Sequence, residues 1–178
     1  VDDWNVLATS VEGARPVLMS GLRRLGVFRG AGYRNVAIGR VEDVAAFLAA
    51  WRDAMAGDTM LAAAVGRVLP IACTFRLDAA DPTASLLAAV EALAPEIDGR
   101  SFYVRVARRG LRDVLDSSEA ERTLGTALWR RIEASGRTPR VVFDDPEVVI
   151  AAETLGDRGG IGLLDRALRA AYPFVRVS

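Results

Sequence analysis

Arg105, Arg108, Arg109 and Arg112 lie within eight residues, and no acid precedes Asp113. A guanidinium is a planar fork of five donors, suited to phosphate oxygens and to stacking on a flat ring, so a cluster of them points to polyanion binding. The cluster ends the stretch SFYVRVA (Ser101–Ala107), in which bulky and polar residues alternate as in a half-buried strand. That alternation puts Phe102, Val104 and Val106 on one face and Tyr103 and Arg105 on the other. Phosphates are the natural partners of the second face, and Tyr103 offers a ring to an unpaired base. The competing reading is a solvated strand end whose arginines pair with Asp113, Asp116 and Glu119.

Two further groups invite chemistry. The run GDRGGIG (Gly156–Gly162) is expected to lead into the last helix, so its backbone N–H groups and the positive helix end, with Arg158, Gly159 and Gly160, would hold a phosphate. On the residues alone ordinary turn glycines are the favoured explanation, and the G-x-x-x-x-G-K-[ST] spacing of a nucleotide loop is absent. Asp144, Asp145, Glu147 and Glu153 have the composition of a magnesium or acid–base site. The structural reading is preferred: Asp144-Asp145-Pro146 forms a turn, and Glu153, in an apolar strand, pairs with an arginine. Trp4, Trp51 and Trp129 are read as packing residues.

Composition removes much other chemistry. There is no histidine, which excludes Ser-His-Asp and Cys-His catalysis, and one cysteine makes no zinc site of the usual kind. No metal and no cofactor are expected. The 23 basic residues, all arginine, balance 23 acids, so any polyanion contact must be a local patch. Cys73 lies in the apolar run Leu69–Phe75 and reads as a buried thiol in a reducing compartment. No apolar run reaches a membrane span and no basic signal region opens the chain, so a cytoplasmic protein without membrane contact is expected.

The elements that position these residues alternate. Trp4–Thr9 reads as a strand, Arg15–Leu25 as a helix and Val27–Arg40 as a hairpin. A helix over VEDVAAFLAAWRDAM follows, with Val44, Phe47, Leu48, Trp51 and Met55 on one stripe. This β-α-β-β-α order is most of a ferredoxin-like split βαβ unit, and a boundary is placed near Asp58. The second part is read as a helix around Met60–Val68, a strand Ile71–Leu77, a helix from Thr83, the strand Ser101–Ala107, and a helix opened by a Ser118/Glu121 capping box. Strands Arg140–Phe143 and Val148–Leu155, a helix Leu163–Ala171 and a strand Phe174–Val177 complete it. An α/β layer structure results.

In this order RVLPIACTF, SFYVRVARRG, SSEAERTLG, VVFDDPEVVIAAETLGD and GGIGLLDRALRAAYPFVRV resemble the THUMP family of RNA-binding modules. The resemblance implies an N-terminal ferredoxin-like domain over residues 1–57 and a THUMP domain over 58–178. It implies a module that docks on structured tRNA at the acceptor end, with Arg105, Arg108, Arg109, Arg112, Tyr103, Arg158, Gly159 and Gly160 as RNA-binding residues. Neither an SGGxDS phosphate loop nor an NPPY-type methyltransferase motif occurs. The expectation is therefore a non-catalytic adaptor, not an enzyme, that presents tRNA to a separate acetyltransferase, thiolase or methyltransferase. The alternative is a protein-interaction or assembly module of the same fold that does not bind RNA.

Overall fold

Strand β1 (Val6–Ser10) is followed by helix α1 (Arg15–Leu22), a hairpin of β2 (Val27–Gly30) and β3 (Val36–Arg40), and helix α2 (Val44–Gly57). This is the expected order, in a computed structural model that describes residues 3–178. Each start has a local cause. Pro16 sits in the first turn of α1, where a missing N–H costs nothing, and the Asp43 carboxylate caps α2 by accepting from Ala46 N at 3.0 Å. On the α2 stripe, Phe47, Leu48 and Trp51 are buried, and Trp51 stacks against Phe47 with ring centroids 6.0 Å apart.

The next segment departs from expectation. Asp58 caps a short helix α3 (Thr59–Ala64), and the chain then turns at once into strand β4 (Val65–Pro70), where a helix to Val68 was expected. β-branched Val65 and Val68 and the intervening Gly66 disfavour helix after the alanines, and pairing with β1 decides the outcome. The first sheet has the order β2-β3-β1-β4 with every pair antiparallel, which is the complete ferredoxin-like arrangement. Its fourth strand thus comes from beyond Asp58. By compactness the chain divides after Ile71, with Leu168–Val177 joining the first unit and Ala72–Ala167 forming the second. Phe174–Val177 is not a regular strand: Val68 N donates to the Phe174 carbonyl at 2.9 Å, and Arg176 donates to the Gly66 carbonyl at 2.9 Å.

The second unit contains β5 (Cys73–Arg76), α4 (Pro82–Ala92), α5 (Ala94–Ile97), β6 (Ser101–Ala107), α6 (Ser117–Ala134), β7 (Arg140–Val141), β8 (Val148–Leu155) and β9 (Arg158–Asp165), with α7 (Arg166–Ala171) starting at its end. The sheet order is β5-β9-β8-β6-β7; β6 runs parallel to β7 and β8, and β9 antiparallel to β5 and β8. Strand β8 is buried along its whole length, as its apolar run requires. Phe102, Val104 and Val106 of β6 meet Leu124, Leu128 and Ile132 of α6 and Leu86 and Val90 of α4 in one core. Cys73 is half-buried, and desolvation pushes its thiol pKa up. No helix of the described residues is long and apolar enough to cross a membrane.

Candidate nucleic-acid interface

Burial along β6 alternates as the sequence required. Phe102, Val104 and Val106 are inside, Arg105 is exposed, and Tyr103 is partly exposed. The Arg105 guanidinium lies 5.9 Å from the Tyr103 ring centroid and 3.5 Å from Glu121 Oε2. Glu121 is not half of a capping box. Its carboxylate accepts from Val106 N at 2.9 Å, and α6 is capped by Asp116, which accepts from Glu119 N at 2.8 Å. The helix begins earlier than Ser118 because Asp116 is the better-placed cap, and this frees Glu121 to pin β6.

Beyond β6 the arginines part company. Arg109 donates to Glu153 at 2.6 Å, and the Glu153 side chain is 1% exposed. Arg109 N also bonds Thr154, and its carbonyl accepts from Gly156 N, so this residue extends the edge of β8. Its charge answers a buried carboxylate, which would be costly alone. Gly110 and Leu111 follow with φ of 81° and 55°, a left-handed pair that turns the chain toward α6. Arg108 is partly buried, and its Nε and Nη1 are enclosed without a hydrogen-bond partner in the protein. Arg112 is exposed and forms no ion pair among the described residues, and none of Asp113, Asp116 and Glu119 pairs with any of the four arginines. The cluster therefore holds one structural arginine and three whose charge answers no buried acid.

The glycine run is not a loop before a helix. Gly156 and Asp157 form the two-residue turn of the β8–β9 hairpin, Gly156 having φ 65°. Arg158 lies beside Asp157 at 3.9 Å, and Gly159 and Gly160 are buried within β9. A Cβ at Gly159 would lie 2.5 Å from the Phe75 ring on β5, so that glycine serves a close approach between neighbouring strands. The helix-end phosphate geometry expected for Arg158, Gly159 and Gly160 is absent.

Three of the four carboxylates take structural positions, and Asp144 is exposed. Asp145, at φ 47° in the turn, pairs with Arg166 at 2.9 Å, and Glu153 takes Arg109. Glu147 accepts from Ser101 N at 2.8 Å, from the Ser101 hydroxyl at 3.1 Å and from Arg140 at 2.6 Å. The two Ser101 donors, with Arg140 and Arg166 nearby, hold the Glu147 carboxyl below the usual carboxylate range. Among the described residues no three metal-ligating side chains come together.

The sequence reading missed a groove of about 470 Å³ between α6 and the β6–β7 edge. Tyr103 and Phe143 line one wall with their ring centroids 5.9 Å apart, while Gly125, Arg122 and Trp129 line the other. Phe143 is 79% and Trp129 38% exposed, whereas Trp4 and Trp51 are core residues as expected. Trp129 had a readable signal, since it falls off the Leu124–Leu128–Ile132 stripe. That it lines one groove with Phe143 had none.

No protein-family model matches the chain, and no curated protein matches it by sequence. Solved structures do. TrmN from Thermus thermophilus superposes with a TM-score of 0.66 at 25% identity, over 90% of this chain and 45% of that one. A 4-thiouridine synthetase, solved as an RNA complex with bound ATP, gives 0.58 at 13% identity over 90% and 41%. SMU.472, assigned as a methyltransferase and complexed with SAH, gives 0.57 at 14% identity over 90% and 41%. The chain spans less than half the length of each of these three. These likenesses correct the expectation of a protein that is not an enzyme, because the structures sharing its fold include a synthetase and several methylase-assigned proteins. The α/β fold is shared with TrmN and the 4-thiouridine synthetase, which is consistent with a THUMP-like fold.

Proposed function

We propose that this chain is the RNA-docking part of an RNA-modifying enzyme, and that it recognises structured tRNA, at the acceptor end, through the exposed end of β6. Arg105 and Arg112 carry the reading: both are exposed near one strand end, and neither answers a buried acid, whereas two guanidinium nitrogens of Arg108 are enclosed. Likeness over 90% of the chain to TrmN and to a synthetase solved with RNA supports the ligand class. Phosphate contacts by such arginines give affinity and position the RNA, and the chemistry falls to a methyl- or sulfur-transfer centre.

Arg109 is set apart from this surface, because it pairs with the buried Glu153. The informative variant is Arg105→Ala with Arg112→Ala. In a tRNA filter-binding titration across salt, its log–log slope is expected to be about 2 smaller than that of the parent, one for each lost phosphate contact. Identical slopes, or no tRNA binding by the parent, would overturn the proposal.

A further inference from the structure

We infer that Glu121 is a built-in competitor for Arg105: its carboxylate holds the guanidinium in the free protein, and an RNA phosphate must displace it. The inference rests on the RNA reading above and names a positioning residue that sets the affinity of the arginine edge.

Strand β7 pairs only with Ser101 and Phe102 of β6, so beyond Phe102 the outer edge of β6 has no strand beside it among the described residues. There Glu121, early in α6, takes the Val106 N–H at 2.9 Å through Oε1. Its other oxygen, Oε2, lies 3.5 Å from Arg105 Nη1. One carboxylate thus answers a backbone group and a neighbouring side chain at the same strand end.

The backbone bond does not explain why the residue is charged. A glutamine amide oxygen would accept from Val106 N in the same place. What a carboxylate adds is a negative charge beside Arg105, and the bond to Val106 N keeps that charge from swinging away.

The pair itself is loose. It is 3.5 Å long, and the Arg105 and Glu121 side chains are 45% and 22% exposed, a kind of contact that adds little to stability. A phosphate can open it, because charge-assisted bonds from a guanidinium to phosphate are shorter and stronger. The tethered carboxylate then remains beside the phosphate and repels it. Tyr103, with its ring centroid 5.9 Å from Arg105, is the guanidinium's other neighbour and brings no opposing charge. Glu121 therefore holds down binding to any polyanion that touches Arg105 alone, and favours RNA that makes further contacts.

Filter-binding titrations of tRNA at low salt compare the parent with Glu121→Gln, Glu119→Gln, Arg105→Ala and the double variant Arg105→Ala/Glu121→Gln. Glu121→Gln is expected to bind about threefold tighter. Glu119→Gln makes the same change of net charge on the same helix, at a residue that pairs with none of the four arginines, and should gain less than about 1.5-fold. In the Arg105→Ala background the gain from Glu121→Gln should vanish. Tighter binding is a readout that a folding defect does not imitate.

Unchanged or weaker binding by Glu121→Gln, with the parent still binding, would overturn the inference and leave the arginine edge standing. A gain that survives in Arg105→Ala, or that Glu119→Gln matches, would also overturn it, since Glu121 would then be one more surface charge. No tRNA binding by the parent would remove both readings.

Discussion

The interior of the first sheet and the α6–β7 flank of the second treat unusual residues in opposite ways. In the first, several are accounted for by a neighbour. A Cβ on Gly39 would run into the Phe28 ring, and one on Gly21 would lie 2.8 Å from Leu61 and 3.1 Å from Trp51. Asp43 and Asp58 cap helices. In the second, Gly125 faces open space, and Phe143 and Trp129 spread apolar surface into solvent. Where a fold's own packing explains a residue, substitution should cost stability. Where it does not, substitution should leave stability unchanged or raise it.

The contrast can be broken at four points. Arg109 belongs with the explained residues despite its place in the cluster, so Arg109→Ala should lose about 3 kcal/mol in urea unfolding by taking a close partner from the buried Glu153 carboxylate. A loss below about 0.5 kcal/mol would return it to the binding surface. Gly39→Ala should cost about 2 kcal/mol through overpacking against Phe28. Gly125→Ala should do the reverse, stabilising by about 1 kcal/mol as alanine replaces a mid-helix glycine. A loss of stability there would show that the fold needs this glycine after all.

The smallest effect concerns acid. Because Ser101 holds the Glu147 carboxyl below its ordinary range, the unfolded chain takes up that proton first as pH falls. The stabilisation is full above the ordinary carboxylate range and is lost as pH drops through the lower folded value. Glu147→Gln should therefore flatten the stability profile below about pH 4, and a profile parallel to the parent's would show that the Ser101 contact carries no linkage.

Much of this was legible from local pattern. The β6 alternation, the α2 stripe and the reading of Glu153 as an arginine's partner needed only periodicity and the cost of a buried charge. Other readings failed where two local signals compete. TMLAAAVGRVLP runs from alanines that favour helix into valines that favour strand, and pairing with β1 chose the break. Ser118 and Asp116 could each cap α6, and Glu121 was drawn off by β6. The glycines after Asp157 suggested a loop, but Gly159 is there for Phe75, a neighbour more than eighty residues away in the chain.

By itself the sequence determined the class of the fold, the apolar faces of its strands and helices, and the presence of an arginine-rich strand end. Those follow from steric and solvation preferences acting within about ten residues. Only the tertiary structure decided which arginine is spent on a buried acid, which glycines are required by a neighbour, and that Tyr103, Trp129 and Phe143 share one groove. Each depends on where a distant strand or helix comes to lie, and the free energy that sets this is shared across the whole core.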